Sequence, residues 1–154
     1  MGLGNMANVF SNSLHESKTS NIRAIASKNI PKLEKFKKNL AIDSKFCFEN
    51  YSQLLKCEDV DAVYITLPNN YHFRYIVEAL NYNKHVLVVK PAFISRSEAQ
   101  IVKSLKDEKN LLFCEGFMYL HHPLTNEIFN FVKNGSIGSI KKINANIGYN
   151  ILPK

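Results

Sequence analysis

The chain has 154 residues, of which 45% are hydrophobic and 21% charged, and 20 Lys and Arg against 13 Asp and Glu give a net charge of +7. This composition excludes a disordered, collagen-like or disulfide-stabilised chain, and no apolar run reaches the roughly 18 residues of a membrane-spanning helix. The cysteines, Cys47, Cys57 and Cys114, form no C-x-x-C pair, so we expect no cysteine zinc site and a reducing, cytoplasmic location.

The positive charge does not indicate a nucleic-acid partner. Most of it is lysine on predicted polar helix faces, and arginine occurs only at Arg23, Arg74 and Arg96. Nucleic-acid-binding proteins usually add clustered arginines or a recognition motif. We therefore expect no nucleic acid and no membrane as partner, with charge-driven nucleic-acid binding as a distant alternative.

Short apolar runs alternate with longer amphipathic segments in chain order. The predicted elements are a helix over 5–14, a strand over 22–26, a helix over 31–40, a strand around 46, a helix over 51–55, a strand over 60–65, a helix over 70–82, a strand over 85–89, a helix over 95–109, a strand over 111–114, a helix over 124–134 and a strand over 140–151. This alternation predicts an α/β fold, a doubly wound parallel sheet with helices on both faces. The last strand alternates apolar and polar residues, which predicts the first strand of a second domain.

A glycine pattern opens the first predicted helix. Gly2-Leu3-Gly4-Asn5-Met6-Ala7 reads G-x-G-x-x-A. Such glycines allow a tight turn and the close approach of backbone amides to a pyrophosphate at a helix N-terminus. Since no strand precedes the pattern here, an ordinary glycine-containing turn is the alternative.

The end of the first predicted strand favours one cofactor over another. NAD-binding units carry Asp or Glu about 20 residues after the glycines, on the ribose hydroxyls. The segment 22–30 has no acid but holds Ser27 and Lys28, with Lys32 one helical turn further on. A hydroxyl and cations suit a 2′-phosphate, so the sequence favours NADP over NAD, although solvated lysines are the simpler reading.

Three more loops follow predicted strands, at the edge where open α/β sheets bind ligands. Thr66, Leu67, Pro68 and Asn69 follow the strand over 60–65, with His72 in the next helix. Asn69 or Asn70 could also cap that helix, and a lone histidine there is more often a local hydrogen-bonding residue than a catalyst.

Lys90, before Pro91, is our catalytic candidate. It follows a predicted buried strand and could bind a substrate hydroxyl or the nicotinamide ribose and assist proton transfer. The third loop holds Glu115 and Gly116 and, further on, His121 and His122. Adjacent histidines point apart, so we predict no metal site and assign both to the substrate side or to structure.

In their order and spacing these motifs resemble the Gfo/Idh/MocA family (glucose-fructose oxidoreductase, inositol dehydrogenase, rhizopine catabolism), especially its dihydrodiol dehydrogenase-like members. The matching stretches are G-x-G-x-x-A at 2–7, A-x-A-S-K at 24–28, V-D-A-V-Y-I-x-x-P-N at 60–69, A-L-x-x-x-K-H-V-L at 79–87, K-P at 90–91, E-x-F-M-Y at 115–119, H-P at 122–123 and G-x-I-G at 135–138. The resemblance implies an NAD(P)-dependent oxidoreductase of sugars, polyols or diols, with Lys90 between nicotinamide and substrate. The residues then expected at the cofactor are Gly2, Leu3, Gly4, Asn5, Met6, Ser27, Lys28, Lys32, Thr66, Leu67, Pro68, Asn69, His72, Val89, Lys90, Glu115 and Gly116.

The chain departs from the family pattern in three ways. Val89 replaces the glutamate of the E-K-P motif, and Leu120 stands where similar members carry arginine. The family's first strand would precede Met1, and most of its substrate domain would follow Lys154, so we expect this chain to be poorly stable alone. A dinucleotide-binding remnant without catalysis is therefore the alternative function.

The resemblance also implies a domain organisation. Residues 1–120 would form the NAD(P)-binding domain, and residues 121–154 would begin an incomplete α+β substrate domain. The full-length form would be a homo-oligomer assembled through the sheet of that second domain, and its partner a small-molecule substrate.

Overall fold

The computed structural model describes residues 1–14 and 16–148. Its α-helices are α1 (Asn5–Leu14), α2 (Ile30–Leu40), α3 (Tyr51–Leu55), α4 (His72–Asn81), α5 (Arg96–Glu108) and α6 (Pro123–Lys133). Its strands are β1 (Ile25–Ala26), β2 (Cys47–Phe48), β3 (Ala62–Ile65), β4 (His85–Val89) and β5 (Phe113–Gly116). The chain divides into two compact units, Met1–Gly116 and Phe117–Lys154.

The strands of the first unit pair in parallel, in the orders β1-β2 and β3-β4-β5. The first two residues of the chain link these sheets. The amide of Gly2 donates to the carbonyl of Ala26 at 3.0 Å, while the amide of Thr66 donates to the carbonyl of Met1 at 2.9 Å. The amino group of Met1 donates to the carbonyl of Tyr64 at 2.7 Å. Met1 and Gly2 therefore occupy the position between β1 and β3 that the first strand holds in a doubly wound sheet.

A cleft of about 670 Å³ opens beside Met1, between residues 21–25 and 59–64. It lies along the amino-terminal approaches to β1 and β3, and Phe10 and Tyr64 line it. Their rings pack with centroids 4.2 Å apart. Lys90 is not among the residues that line this cleft.

The core lies between the β3-β4-β5 sheet and its helices. Ile65 and Val88 on the sheet, Ile76 and Leu80 on α4, and Val102 on α5 are almost completely buried. Burying a side chain of this size stabilises the fold by about 1.5–3 kcal/mol. Because β-branched strands pack here against apolar helix faces, the carboxyl ends of β3, β4 and β5 are held side by side.

Local signals explain why several helices begin where predicted. Ser95 caps α5, with its side chain accepting from the amide of Glu98 at 3.2 Å, as its capping-box spacing indicates. Asn29 caps α2 by accepting from the amide of Lys32, and Pro31 lies in the first turn. The helices α1 and α3 and the strand β4 have the predicted bounds.

Strand ends agree less well with the predictions. The strand predicted over 22–26 is reduced to β1, the one around 46 begins after a 3-10 turn at Ser44–Phe46, and the one over 111–114 is displaced to β5. Asn69 and Asn70 do not cap α4, because they form a 3-10 turn with Tyr71 and α4 has no side-chain cap. A strand exists only where a neighbour supplies ladder hydrogen bonds, and that neighbour is set by tertiary structure.

The second unit differs most from the prediction. Its regular elements over the described range are a 3-10 turn at Met118–His121 and α6. The strand predicted over 140–151 is wrong for residues 140–148, which have no strand, while 149–151 lie outside the described residues. Alternation suits this segment to a sheet, but no strand elsewhere in the described chain pairs with it. None of the helices described is long and apolar enough to span a membrane.

Candidate functional site

The glycine segment lies at the carboxyl-end edge of the sheet. Gly2 has φ +82°, and a Cβ there would lie 2.9 Å from the carbonyl oxygen of Thr66. The hydroxyl of Thr66 donates to the carbonyl of Gly2 at 2.8 Å. Gly2 is thus required by the close approach of two protein loops, and Thr66 fastens them together.

Gly4 has a different environment, because a Cβ there would have no neighbour within 4 Å. The helix α1 begins at the next residue, and the amides of its first turn lack intrahelical partners. An open position before a helix N-terminus is the arrangement that receives a phosphate. Asn5 and Met6 are exposed beside it, whereas Leu3 is buried with Ile25 and Leu33, which leaves only its backbone at this edge.

The turn after β1 and the first turn of α2 present two lysines. Ser27 is buried, and its hydroxyl oxygen accepts from the amide of Asn29 at 3.1 Å. Lys28 and Lys32 are exposed, and neither forms an ion pair with another described residue. Next to this turn, burial raises the pKa of the Tyr51 hydroxyl. The edge therefore offers two free cations and no carboxylate between residues 22 and 30.

The loop after β3 exposes Pro68 and Asn69 and buries Leu67. His72, in the first turn of α4, is fully buried. Its Nδ1 lies 2.8 Å from the carbonyl oxygen of Pro91, and its Nε2 lies 2.7 Å from the carbonyl oxygen of Leu67. Both ring nitrogens face backbone carbonyl oxygens, and a neutral ring donates to one of them at a time. That His72 contacts a cofactor stays a prediction, and its two ring nitrogens face protein backbone.

Lys90 extends from the end of β4 and is exposed. One residue past Pro91, the amide of Ala92 donates to Oε1 of Glu115 at 2.8 Å. Val89 is half-buried opposite Gly116 in the β4-β5 register. A Cβ at Gly116 would lie 3.3 Å from the carbonyl oxygen of Val88, which makes this a tight contact between strands.

The structure therefore places the predicted site residues of the first unit at one edge. The Gly2–Gly4 segment, the end of β1 and the ends of β3, β4 and β5 all lie where parallel strands finish, which is where open α/β sheets bind ligands. The sequence did not indicate the backbone partners of His72 and Glu115, since nothing local connects them to Pro91 and Ala92.

The two histidines of the second unit lie at the ends of its helical elements. His122 caps α6, with Nδ1 accepting from the amide of Leu124 at 3.1 Å, and His121 ends the preceding 3-10 turn. Over the described residues, no three His, Cys, Asp or Glu side chains are grouped as metal ligands.

Comparison with known proteins gives a family match and close structural likenesses. Residues 1–117 match the model of the Gfo/Idh/MocA oxidoreductase family, NAD-binding Rossmann fold. A dTDP-3,4-didehydro-2,6-dideoxy-alpha-D-glucose 3-reductase of Actinomadura kijaniata is 35% identical over 133 residues, or 86% of this chain and 39% of that protein. This chain thus spans about two fifths of the length of that relative.

Two solved structures show the same fold. Scyllo-inositol dehydrogenase from Lactobacillus casei, with bound NAD(H) and scyllo-inositol, has a TM-score of 0.82 at 27% identity, covering 89% of this chain and 40% of that one. The 3-ketoreductase KijD10 from Actinomadura kijaniata, with NADP and TDP-benzene, has a TM-score of 0.79 at 32% identity, covering 87% and 41%. The predicted doubly wound parallel fold is thereby confirmed.

Proposed function

This chain belongs to the Gfo/Idh/MocA family of oxidoreductases, which have an NAD-binding Rossmann fold, and on that premise we propose that it is the cofactor half of an NADP(H)-dependent oxidoreductase. The reaction is reversible hydride transfer between the nicotinamide and a hydroxyl or carbonyl carbon of a sugar-like, polyol or diol substrate. The relative with a named reaction on a dTDP-sugar and the structure holding scyllo-inositol support this substrate class.

The observation that carries the proposal is the open space at Gly4 in front of α1. It fits a pyrophosphate, because unpartnered amides and the positive end of the helix dipole face the same point. Lys28 after β1 and Lys32 in the first turn of α2, with no acid among residues 22–30, support a 2′-phosphate over a free ribose diol. KijD10, whose structure holds NADP, supports the same preference.

Lys90 is the proposed catalytic residue. The cofactor supplies or accepts the hydride when bound, so the protein has to bind the reacting oxygen and move its proton. The ammonium of Lys90, exposed at the ligand edge, would donate to that oxygen as a carbonyl is reduced and stabilise the charge that develops there. Val89 brings no carboxylate beside it, and Oε1 of Glu115 already accepts from the amide of Ala92.

We propose residues 1–120 as the NAD(P)-binding domain and 121–154 as the beginning of a substrate domain. The apolar side chains of α6, among them Ile128, Phe129 and Phe131, are exposed, which supports packing against further structure in that domain. Homo-oligomerisation through the sheet of that domain, and a cytoplasmic location, belong to the same proposal.

The reaction is tested in a protein that joins this chain to a complete substrate domain, by NADPH oxidation with keto-sugars and by the reverse reaction with polyols and diols. We expect Lys90→Met to abolish turnover while NADPH still binds. Lys103→Met, the same change at an exposed position on α5, is the control and should leave turnover unchanged. A chain that binds NADPH but turns over none of these substrates supports the non-catalytic remnant instead, and equal turnover in Lys90→Met contradicts the role of Lys90.

A further inference from the structure

The segment that carries Lys90 is held from two sides by side chains of other elements. On one side, Nδ1 of His72 lies 2.8 Å from the carbonyl oxygen of Pro91. On the other side, Oε1 of Glu115 accepts from the amide of Ala92 at 2.8 Å. The bond to Glu115 fixes Ala92 to β5, and the contact with His72 fixes Pro91 to α4 when Nδ1 carries a proton.

His72 lies between two loops. Its second nitrogen, Nε2, lies 2.7 Å from the carbonyl oxygen of Leu67, in the loop that follows β3. A neutral ring donates one of these bonds at a time and a protonated ring donates both, so either form ties at least one loop to α4. The ring is fully buried, where losing a hydrogen-bond partner costs most.

The connection continues to the glycine segment. Thr66, one residue before Leu67, donates from its hydroxyl to the carbonyl of Gly2 at 2.8 Å. Side chain to backbone bonds therefore join the glycine segment, the loop after β3, the loop after β4 and the end of β5. These are the loops that the proposed function places around the cofactor.

We propose that His72 and Glu115 are positioning residues, which clamp the Lys90–Ala92 segment so that the Lys90 ammonium is held toward the nicotinamide end of the cofactor. In this assignment Glu115 acts through its acceptor oxygen and not through its charge. The part played by Lys90 rests on the proposed function, whereas the hydrogen bonds of the clamp do not.

Glu115 permits the sharper experiment, because it is half-buried and Glu98, also half-buried and also an acceptor for a backbone amide, is a matched control. Oε2 of Glu98 accepts from the amide of Ile94 at 3.0 Å, two residues beyond Ala92. The variants are Glu115→Ala, Glu115→Gln and Glu98→Ala, and the first measurement is amide hydrogen exchange by NMR at Ala92 and Ile94.

We expect Glu115→Ala to speed exchange at Ala92 by on the order of tenfold or more while Ile94 is unchanged, and Glu98→Ala to do the reverse. Glu115→Gln should stay near the wild type at Ala92, because the amide oxygen still accepts. Unchanged exchange at Ala92 in Glu115→Ala would overturn the clamp.

The second measurement is the acylation rate of Lys90 by an amine-reactive anhydride, with and without NADPH. We expect NADPH to protect Lys90 in the wild type, in Glu115→Gln and in Glu98→Ala, and to protect it at least about tenfold less in Glu115→Ala. If Glu115→Gln loses protection like Glu115→Ala, the charge of Glu115 matters and the positioning role is wrong. If NADPH fails to protect Lys90 in the wild type, the proposed function fails, and the exchange pattern still reports separately on the clamp.

His72 is tested in the acylation assay with His72→Gln, whose amide keeps one donating nitrogen, and His72→Phe, which keeps no hydrogen-bonding group. His85 is the control, because its Nδ1 accepts from the amide of Leu112 at the opposite end of β4. We expect protection of Lys90 to decrease from the wild type to His72→Gln to His72→Phe and to be unaffected in His85→Gln. Equal protection in the wild type and His72→Gln, with His72→Phe folded and also equal, would overturn the role of His72.

Discussion

In the polypeptide Met1–Lys154 the amino group of Met1 is buried, which makes the free energy of unfolding of that polypeptide depend on pH. This amino group lies between the two sheets and donates to the carbonyl of Tyr64 at 2.7 Å. Burial lowers its pKa from 8.0 to about 5. The unfolded chain therefore keeps this proton up to about pH 8, whereas the folded chain gives it up above about pH 5.

The direction in which the free energy of unfolding changes with pH follows from proton linkage. Between about pH 5 and pH 8 the unfolded state binds one more proton at this site, so the free energy of unfolding rises with pH. The free energy of unfolding that depends on this group is at its maximum above about pH 8, decreases as the pH falls, and does not change further below about pH 5. At about 1.4 kcal/mol per pKa unit the whole change is about 4 kcal/mol. A domain has a net stability of about 5–15 kcal/mol, so this is a large share of it.

Urea unfolding followed by circular dichroism across that pH range measures the effect, and a chain acetylated at Met1 is the matched control. Acetylation removes the terminal charge and keeps an N–H for Tyr64, and the cleft of about 670 Å³ beside Met1 has room for the acetyl group. We expect the two stability curves to converge near pH 8 and to separate by about 4 kcal/mol near pH 5. Parallel curves would show that the amino group of Met1 does not cause the pH dependence, since every carboxylate and histidine is common to both chains.

Three further predictions concern separate parts of the structure. Gly2→Ala should destabilise the chain by about 1–3 kcal/mol in urea unfolding, because Gly2 has a positive φ and a carbonyl oxygen lies close to it. Gly4→Ala should leave stability unchanged and weaken NADPH binding on the order of tenfold. Equal stability of the two variants would contradict the structural role of Gly2. Lys28→Glu should lower the affinity for NADPH by on the order of tenfold and leave that for NADH unchanged, measured by fluorescence titration; a parallel loss of both would argue against a 2′-phosphate contact. Ser95→Ala should cost about 1 kcal/mol through the lost α5 cap, while Ser104→Ala on the same helix should cost little.

Helices were predictable here because their signals are local. The start of α5 depends on Ser95 and Glu98, three residues apart, and that of α2 on Asn29 and Pro31. Strands were harder, because β1 and β5 are limited by the strands beside them and not by their own residues. The segment 140–148 alternates apolar and polar residues as a strand does, but no described strand pairs with it, so it forms none.

The site was predictable in its location and less so in its internal bonds. Motif positions after predicted strands placed Lys28 and Lys90 at one edge, as parallel topology requires, and the resemblance to the family added Gly4. The tasks of His72 and Glu115 depend on Pro91 and Ala92, 19 and 23 residues away in sequence. No periodicity or spacing links residues so far apart, so only the folded structure shows that these side chains bind protein backbone.

A fluorescence titration of the folded chain with NADPH and with NADH, at the same pH and salt concentration, tests the proposed cofactor site most directly. We predict saturable binding of both, with NADPH bound more tightly and with the difference removed by Lys28→Glu. If the folded protein binds neither dinucleotide, the edge formed by Gly4, Lys28 and Lys90 is not a cofactor site.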